Sequence, residues 1–191
     1  MSVLSPGILI AAPPLGDPNF DRSVVLLASH DDQGAFGWVI NGERLLSVAQ
    51  LLEQAEITQG GEAHSATLRE AVSRGGPVSS GQVWLVYPTA HELLGVDPQL
   101  EVAPGISATA SRDFLQRLAD GASVPHLRAF AGYAGWAAGQ LEAEINQGAW
   151  LPGEVSPHLV FETDPMTVWQ RAYEMQGVTP LAFTSRTIGS A

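Results

Sequence analysis

Three short apolar, partly β-branched runs stand within the first forty residues, Ile8 to Ala12, Ser23 to Ser29 and Ala35 to Ile40, each bounded by turn-forming residues. Runs of this length and kind read as strands buried on one or both faces. The first third of the chain is therefore expected to be mainly sheet. His30-Asp31-Asp32-Gln33-Gly34, between the second and third runs, has the composition of a β-hairpin connection and places His30 at its mouth.

Helical signals follow. Ser47 with Gln50 three residues on forms a capping-box pattern, Leu46 and Leu51 are spaced as a hydrophobic staple, and Val48, Leu51, Leu52 and Ala55 supply one apolar face. Thr58 to Ser65 reads as an exposed loop. Gly75-Gly76-Pro77-Val78 breaks the chain before a strand expected over Val83 to Tyr87, and His91 to Pro104 has no firm period. Ile106 to Thr109 reads as a strand. It leads into a helix capped by Ser111, with Asp113 in its first turn and Phe114, Leu115 and Leu118 on its buried side.

Arg128 to Tyr133 reads as a strand, and Trp136 to Asn146 as a helix with Leu141 and Ile145 inward and Glu142 and Glu144 outward, ended by Gly148. Trp150-Leu151 is expected to pair briefly and Leu159 to Glu162 to form a last strand. Asp164-Pro165 should open the final helix, with Val168, Trp169, Ala172 and Met175 as its stripe. Trp136, Trp150 and Trp169 read as core, and Trp38 and Trp84 sit on strands. With no repeat and no long linker, residues 1–191 form one α+β domain, its core at about 7–176 and a flexible tail at about 184–191.

Composition excludes several chemistries. There is no Cys and no Lys, which removes thiolate nucleophiles, Cys-ligated zinc and Schiff-base lysines. The net charge is −11 and the nine basic residues, all Arg, are scattered along the sequence. A nucleic-acid partner is therefore not expected. The longest clean apolar run, Val24 to Ala28, is far shorter than the ~20 residues that span a bilayer, so no membrane association is expected either. Without a basic leader or cysteines, a cytoplasmic location is expected.

His30 with Asp31 and Asp32 is the most reactive-looking cluster, since a carboxylate can orient imidazole as a general base. Read plainly, the acids bond the backbone of their own turn. Ser23 and Ser111 are available as nucleophiles by type, but neither stands in a nucleophile elbow. His30, His64, His91, His126 and His158 are too dispersed to show a metal-binding pair. The glycines at 75–76 and 132–139 match neither a dinucleotide fingerprint nor a Walker loop and read as tight turns and close packing. No cofactor or metal is expected.

Several segments, in order, resemble the bacterial AlgH/YqgE family. They are Pro14-Leu15-Gly16-Asp17-Pro18-Asn19-Phe20 running into Ser23; His30 with Gly34, Gly37 and Asn41; Gly75-Gly76-Pro77-Val78; Ser111-Arg112-Asp113; and Gly132-Tyr133-Ala134-Gly135-Trp136 leading to Gln140, Glu142 and Trp150. The resemblance implies an α+β fold whose branched mixed sheet rolls into a pseudo-barrel with helices packed around it. It also implies cytosolic proteins labelled as transcriptional regulators. The chain departs from the family pattern at Gly42-Glu43-Arg44, where a basic residue and Pro are usual. It departs again at Gly81-Gln82 and Tyr87, where an Arg and a strand ending in His are expected.

Two readings follow. The first is a non-enzymatic regulatory or interaction protein with an unknown protein partner and no direct contact with DNA. The second is a small-ligand-binding protein or hydrolase centred on His30, with Asn41 or the Gly76 backbone as oxyanion donors and Asp113 as an acid from a facing helix.

Overall fold

Apolar residues alternate between two packed layers along the first strand: Ile8 and Ile10 enter one core while Leu9 and Ala11 enter another. That period of two, with both faces buried, explains why the run reads as continuous rather than striped. The computed structural model describes residues 4–13, 15, 17–57, 66–91 and 100–179. The loop expected over 58–65 and the tail expected over 184–191 lie outside the described residues.

Strands β1 (Gly7–Ala11), β2 (Val24–Asp31), β3 (Gly34–Val39), β4 (Arg44–Ser47), β5 (Ala71–Arg74), β6 (Val78–Pro88), β7 (Leu100–Ala103), β8 (Ile106–Thr109), β9 (Arg128–Ala137) and β10 (Trp150–Gly153) form one sheet among the described residues. Its main path is β10-β1-β2-β3-β9-β6-β8-β7, and β5 leaves it as a branch on β9, carrying β4 at its far edge. β9 makes the branch because it is long. Its Ala134 to Ala137 end pairs with β3, and its Ala129 to Ala131 stretch runs parallel to β5. The other pairings are antiparallel.

The sheet curls into a half-barrel, and helices fill or cover it. Inside lie Ile10, Leu26, Trp38, Val86, Ile106 and Phe130, plugged by α4 (Pro157–Phe161) and α5 (Val168–Met175) through Leu159, Val160, Val168, Ala172 and Tyr173. Trp169 Nε1 and Tyr173 Oη both donate to the Ala11 carbonyl, at 2.8 and 3.2 Å, which ties the plug to β1. One outer flank is covered by α1 (Val48–Gln54) and α2 (Arg112–Ala119), and the other by α3 (Gln140–Asn146). The expected α+β class, branched mixed sheet and surrounding helices are what the chain adopts.

Local chemistry accounts for most elements. Ser47 and Gln50 exchange both capping-box bonds, and Ser111 Oγ accepts from the Asp113 amide. Four expectations are corrected. Leu159 to Glu162 is not a strand: Leu159 to Phe161 belong to α4 and Glu162 ends it, because Ser156 Oγ caps Leu159 and Pro157 opens the helix; an apolar run that short carries no period of its own. Trp136 is not helical. β9 continues through Ala137, and α3 begins only after Gly139, whose left-handed backbone (φ +74°) turns the chain. The final helix starts at Val168, since the Asp164 side chain and carbonyl close a separate turn over Met166, Thr167 and Val168. β6 extends five residues earlier than Val83, and β4, β5 and β7 are additional strands.

Candidate functional site

The β2–β3 hairpin closes over Asp32 and Gln33, with Asp31 Oδ1 accepting from the Gln33 amide at 2.8 Å. Asp31 therefore does the backbone bonding expected of a turn acid. His30 does not. It lies on β2 opposite Ala35 and is 5% exposed.

Which face His30 takes is decided by a bulge. The β2–β3 register shifts between Leu27 and Ser29, so one extra residue reverses the alternation. Val24, Leu26 and Ala28 point into the half-barrel, yet His30, another even position, shares the outer face with Ala35. A matching reversal occurs on β9. Phe130 and Tyr133 both contact the interior cluster, and the change of parity falls at Gly132, φ +74°. Trp136 is thereby carried to the outer face beside His30.

Helix α3 lies over this spot with its acids turned inward, which corrects the expectation that Glu142 and Glu144 face solvent. The Leu4 amide donates to His30 Nδ1 at 3.0 Å. A backbone amide can only donate, so the hydrogen sits on Nε2 and is given to Glu142 Oε1 at 3.1 Å. Glu144 Oε2 accepts from both Trp136 Nε1 (2.9 Å) and Trp150 Nε1 (2.8 Å), while Glu144 Oε1 accepts from Gln140 Nε2 (2.9 Å). Gln140 Oε1 in turn accepts from the Ala137 amide. Phe20 packs on both indoles, with ring centroids 6.3 Å from Trp136 and 5.4 Å from Trp150. Asp17 Oδ1 accepts from the Asn19 amide and shapes the turn that delivers Phe20.

The segments at 17–23, 30–37 and 132–151 therefore meet in one acid–aromatic clamp. Each polar atom named in it ends on a protein partner.

The other proposed site residues lie elsewhere. Asn41 is committed to the β2 entry: its Oδ1 accepts from the Val24 amide and its Nδ2 donates to the Arg22 carbonyl, both at 2.9 Å. Val24 and His30 are six residues apart on one strand, about 20 Å at ~3.3 Å per residue. Asp113 stands exposed on α2, which packs on the opposite flank. Gly75 donates to Ala131 and accepts from Val39 through its backbone. Gly76 lies directly against the Tyr133–Ala134 backbone, where no side chain fits, and Pro77 leads straight into β6. Gly75 and Gly76 are thus engaged in close backbone packing, and His30, Asn41, Gly76 and Asp113 are not brought together.

Ser23 Oγ is buried and has no partner among the described residues, and Ser111 is occupied as a helix cap. His64 lies outside the described residues. Among the described residues no group of three or more His, Asp or Glu stands close enough to hold a metal ion. No helix of the described residues is long and apolar enough to cross a membrane.

Two concave surfaces are better formed. An open groove of about 430 Å³ runs along the hairpin between Asp31, Phe36, Tyr133 and Trp136; His30 is not part of its wall. A more enclosed cleft of about 480 Å³ lies where the β4–β5 branch, β9 and the turn before α5 meet, lined among others by Arg44, Arg69, Glu70, Arg128, Asp164 and Met166. Arg128 Nε donates to Val160 O (3.1 Å) and Nη2 to Thr163 O (3.2 Å). Burial pulls this guanidinium below its ordinary pKa, while the charges of Glu70 and Asp164 act in the opposite direction. Sequence reading missed this cleft because its three arginines are 25 and 59 positions apart and come together only through the branch.

The AlgH-like family model, DUF179, matches residues 8–181. A UPF0301 protein of Idiomarina loihiensis is 37% identical over 177 residues, covering 93% of each chain, and one from Ruegeria pomeroyi is 35% identical over 178 residues, covering 93% of this chain and 94% of its own. Among solved structures, the AlgH protein from Pseudomonas aeruginosa superposes with a TM-score of 0.76 at 32% identity, covering 100% of this chain and 95% of its own. A protein from Corynebacterium diphtheriae superposes with a TM-score of 0.68 at 26% identity, covering 94% and 91%. With the family pattern matched across nearly the whole length, this chain belongs to the AlgH-like family.

Proposed function

We propose that this protein acts as a non-enzymatic regulatory or protein-interaction module of the cytoplasm, built as one domain over 1–191, that does not contact DNA directly. The observation that carries this reading is the state of His30. Its two ring nitrogens are both engaged inside the protein, by Leu4 and by Glu142, and the ring is buried. A general base must reach a substrate proton, and this imidazole serves instead as a strut between β2, α3 and the N-terminal segment.

Charge supports the same reading. A chain of net −11 repels a phosphate backbone unless its cations form a continuous track. The arginines that do converge line a cleft beside Glu70 and Asp164 rather than an extended face.

The test has two arms. Purified full-length chain should give no shift of duplex DNA in a gel at about 150 mM salt, where counterion release still rewards real phosphate contacts. A protein captured with the tagged chain from the native cytoplasm should re-form a binary complex when both are purified. A sequence-specific DNA shift would overturn the first part, and turnover of a metabolite that disappears in His30→Gln would overturn the whole.

A further inference from the structure

The cleft gathers three arginines whose side-chain donors are largely without protein acceptors among the described residues. A guanidinium carries five N–H groups. Arg128 uses two of them on the Val160 and Thr163 carbonyls, and the other three have no protein partner among the described residues. Arg44 makes a single bond, Nη2 to the Arg69 carbonyl at 3.4 Å. No carboxylate of the described residues lies within 4 Å of Arg44, Arg69 or Arg128.

The acids of the cleft are accounted for as follows. Glu43 pairs outward with Arg74 Nη2 at 3.4 Å. Asp164 accepts from the Met166 amide within its own turn. Glu70 faces the cleft without a hydrogen-bonded partner among the described residues. With Glu43 balanced by Arg74, three guanidinium groups stand against two carboxylates, so the cleft is locally positive on a chain of net −11.

Arg128 is also held in place. The two carbonyls that receive its Nε and Nη2 belong to α4 and to the turn that follows it, so the orientation of the guanidinium plane is set before any ligand arrives. A planar, pre-oriented fork of this kind matches the paired oxygens of a carboxylate or phosphate. The volume, about 480 Å³, is in the range of small-molecule sites. Phe130, Pro165 and Met166 add apolar wall, so the cleft suits a ligand with an organic body.

We propose that this cleft binds a small organic molecule through an oxyanion, carboxylate or phosphate, seated on the free donors of Arg128 and flanked by Arg44 and Arg69. The site is separate from the interaction role proposed above, and its failure would leave that reading untouched.

The experiment uses the isotope-labelled full-length chain, titrated by NMR at constant low ionic strength with sodium phosphate and, separately, with sodium acetate. Saturable shifts of amides at Ala71, Ser73 and Ala129 are expected with at least one probe. Phosphate alone would assign a phosphorylated ligand, acetate alone a carboxylate, and both the shared oxyanion chemistry. Arg128→Gln should abolish the shifts. Because that change also removes two bonds to the α4 region, Arg69→Gln, which makes no side-chain bond among the described residues, is the decisive variant and should weaken binding about tenfold. Glu70→Gln should tighten it a few fold by removing a like charge. Absence of saturable shifts with both probes, or unchanged affinity in Arg69→Gln, would overturn the proposal.

Discussion

The clamp under α3 and the arginine cleft are both charged clusters assembled by the sheet, and they differ in where their hydrogen bonds end. In the clamp, Glu142, Glu144, His30, Trp136 and Trp150 satisfy one another. In the cleft, Arg128 leaves three N–H groups without a protein acceptor and Arg69 makes no side-chain bond among the described residues. Buried polar groups that are satisfied internally stabilise and specify a fold. Groups held in position but left unsatisfied are the ones available to a ligand. The cluster that looked reactive in sequence is of the first kind, and Arg128, with Arg44 and Arg69 at its side, is of the second.

That contrast can be broken at several points. The largest effect is expected from Glu144→Ala, which strips the acceptor from two buried indole N–H groups. Unfolding in urea should show a loss of about 3–5 kcal/mol, since charge-assisted hydrogen bonds contribute ~1.5–3 kcal/mol each. A loss below about 1 kcal/mol would mean that the clamp is not structural. His30→Ala removes two bonds and leaves the Leu4 amide and Glu142 without their partner, and should destabilise by about 2–3 kcal/mol in the same assay.

Glu142→Gln sharpens the assignment of the hydrogen on His30. The amide oxygen can still accept from Nε2–H, so the loss should stay under about 1 kcal/mol. A penalty equal to that of His30→Ala would show that the pair depends on charge. At the small end, Arg69→Gln should change stability by no more than about 0.5 kcal/mol, as expected for an exposed side chain with no fixed contact, while its oxyanion affinity falls. A variant that unfolds the protein would place Arg69 in the structure rather than in the site.

Much of the fold was legible locally. The three apolar runs became β1, β2 and β3, the Ser47–Gln50 box capped α1, and Ser111 capped α2, because each signal is closed within a few residues of itself. Two of the misreadings share one cause. Leu159–Val160–Phe161 and the stretch beginning at Trp136 are apolar segments too short to display a period, so their state is settled by what covers them. β4 and β7 are short and half exposed; the partner of β4, β5, lies far along the chain, while β7 pairs with its neighbour β8 across a short turn. The tryptophans at 136 and 150 are core as expected; Trp150 reaches it from the expected strand, and Trp136 from β9 instead of a helix.

The candidate site shows the same division more sharply. His30, Glu142 and Trp136 could each be named from sequence, but their meeting depends on the bulge between Leu27 and Ser29 and on the turn of backbone at Gly132. One residue more or less in either strand would send the side chain to the opposite face.

What the sequence determined by itself is the inventory: no thiol, no lysine amine, a strongly acidic balance, and strands and caps written in neighbouring residues. The tertiary structure alone decided which polar groups found partners. Hydrogen bonding over separations of 112 residues, as from His30 to Glu142, depends on strand register and sheet branching, and neither is encoded in any local stretch of chain.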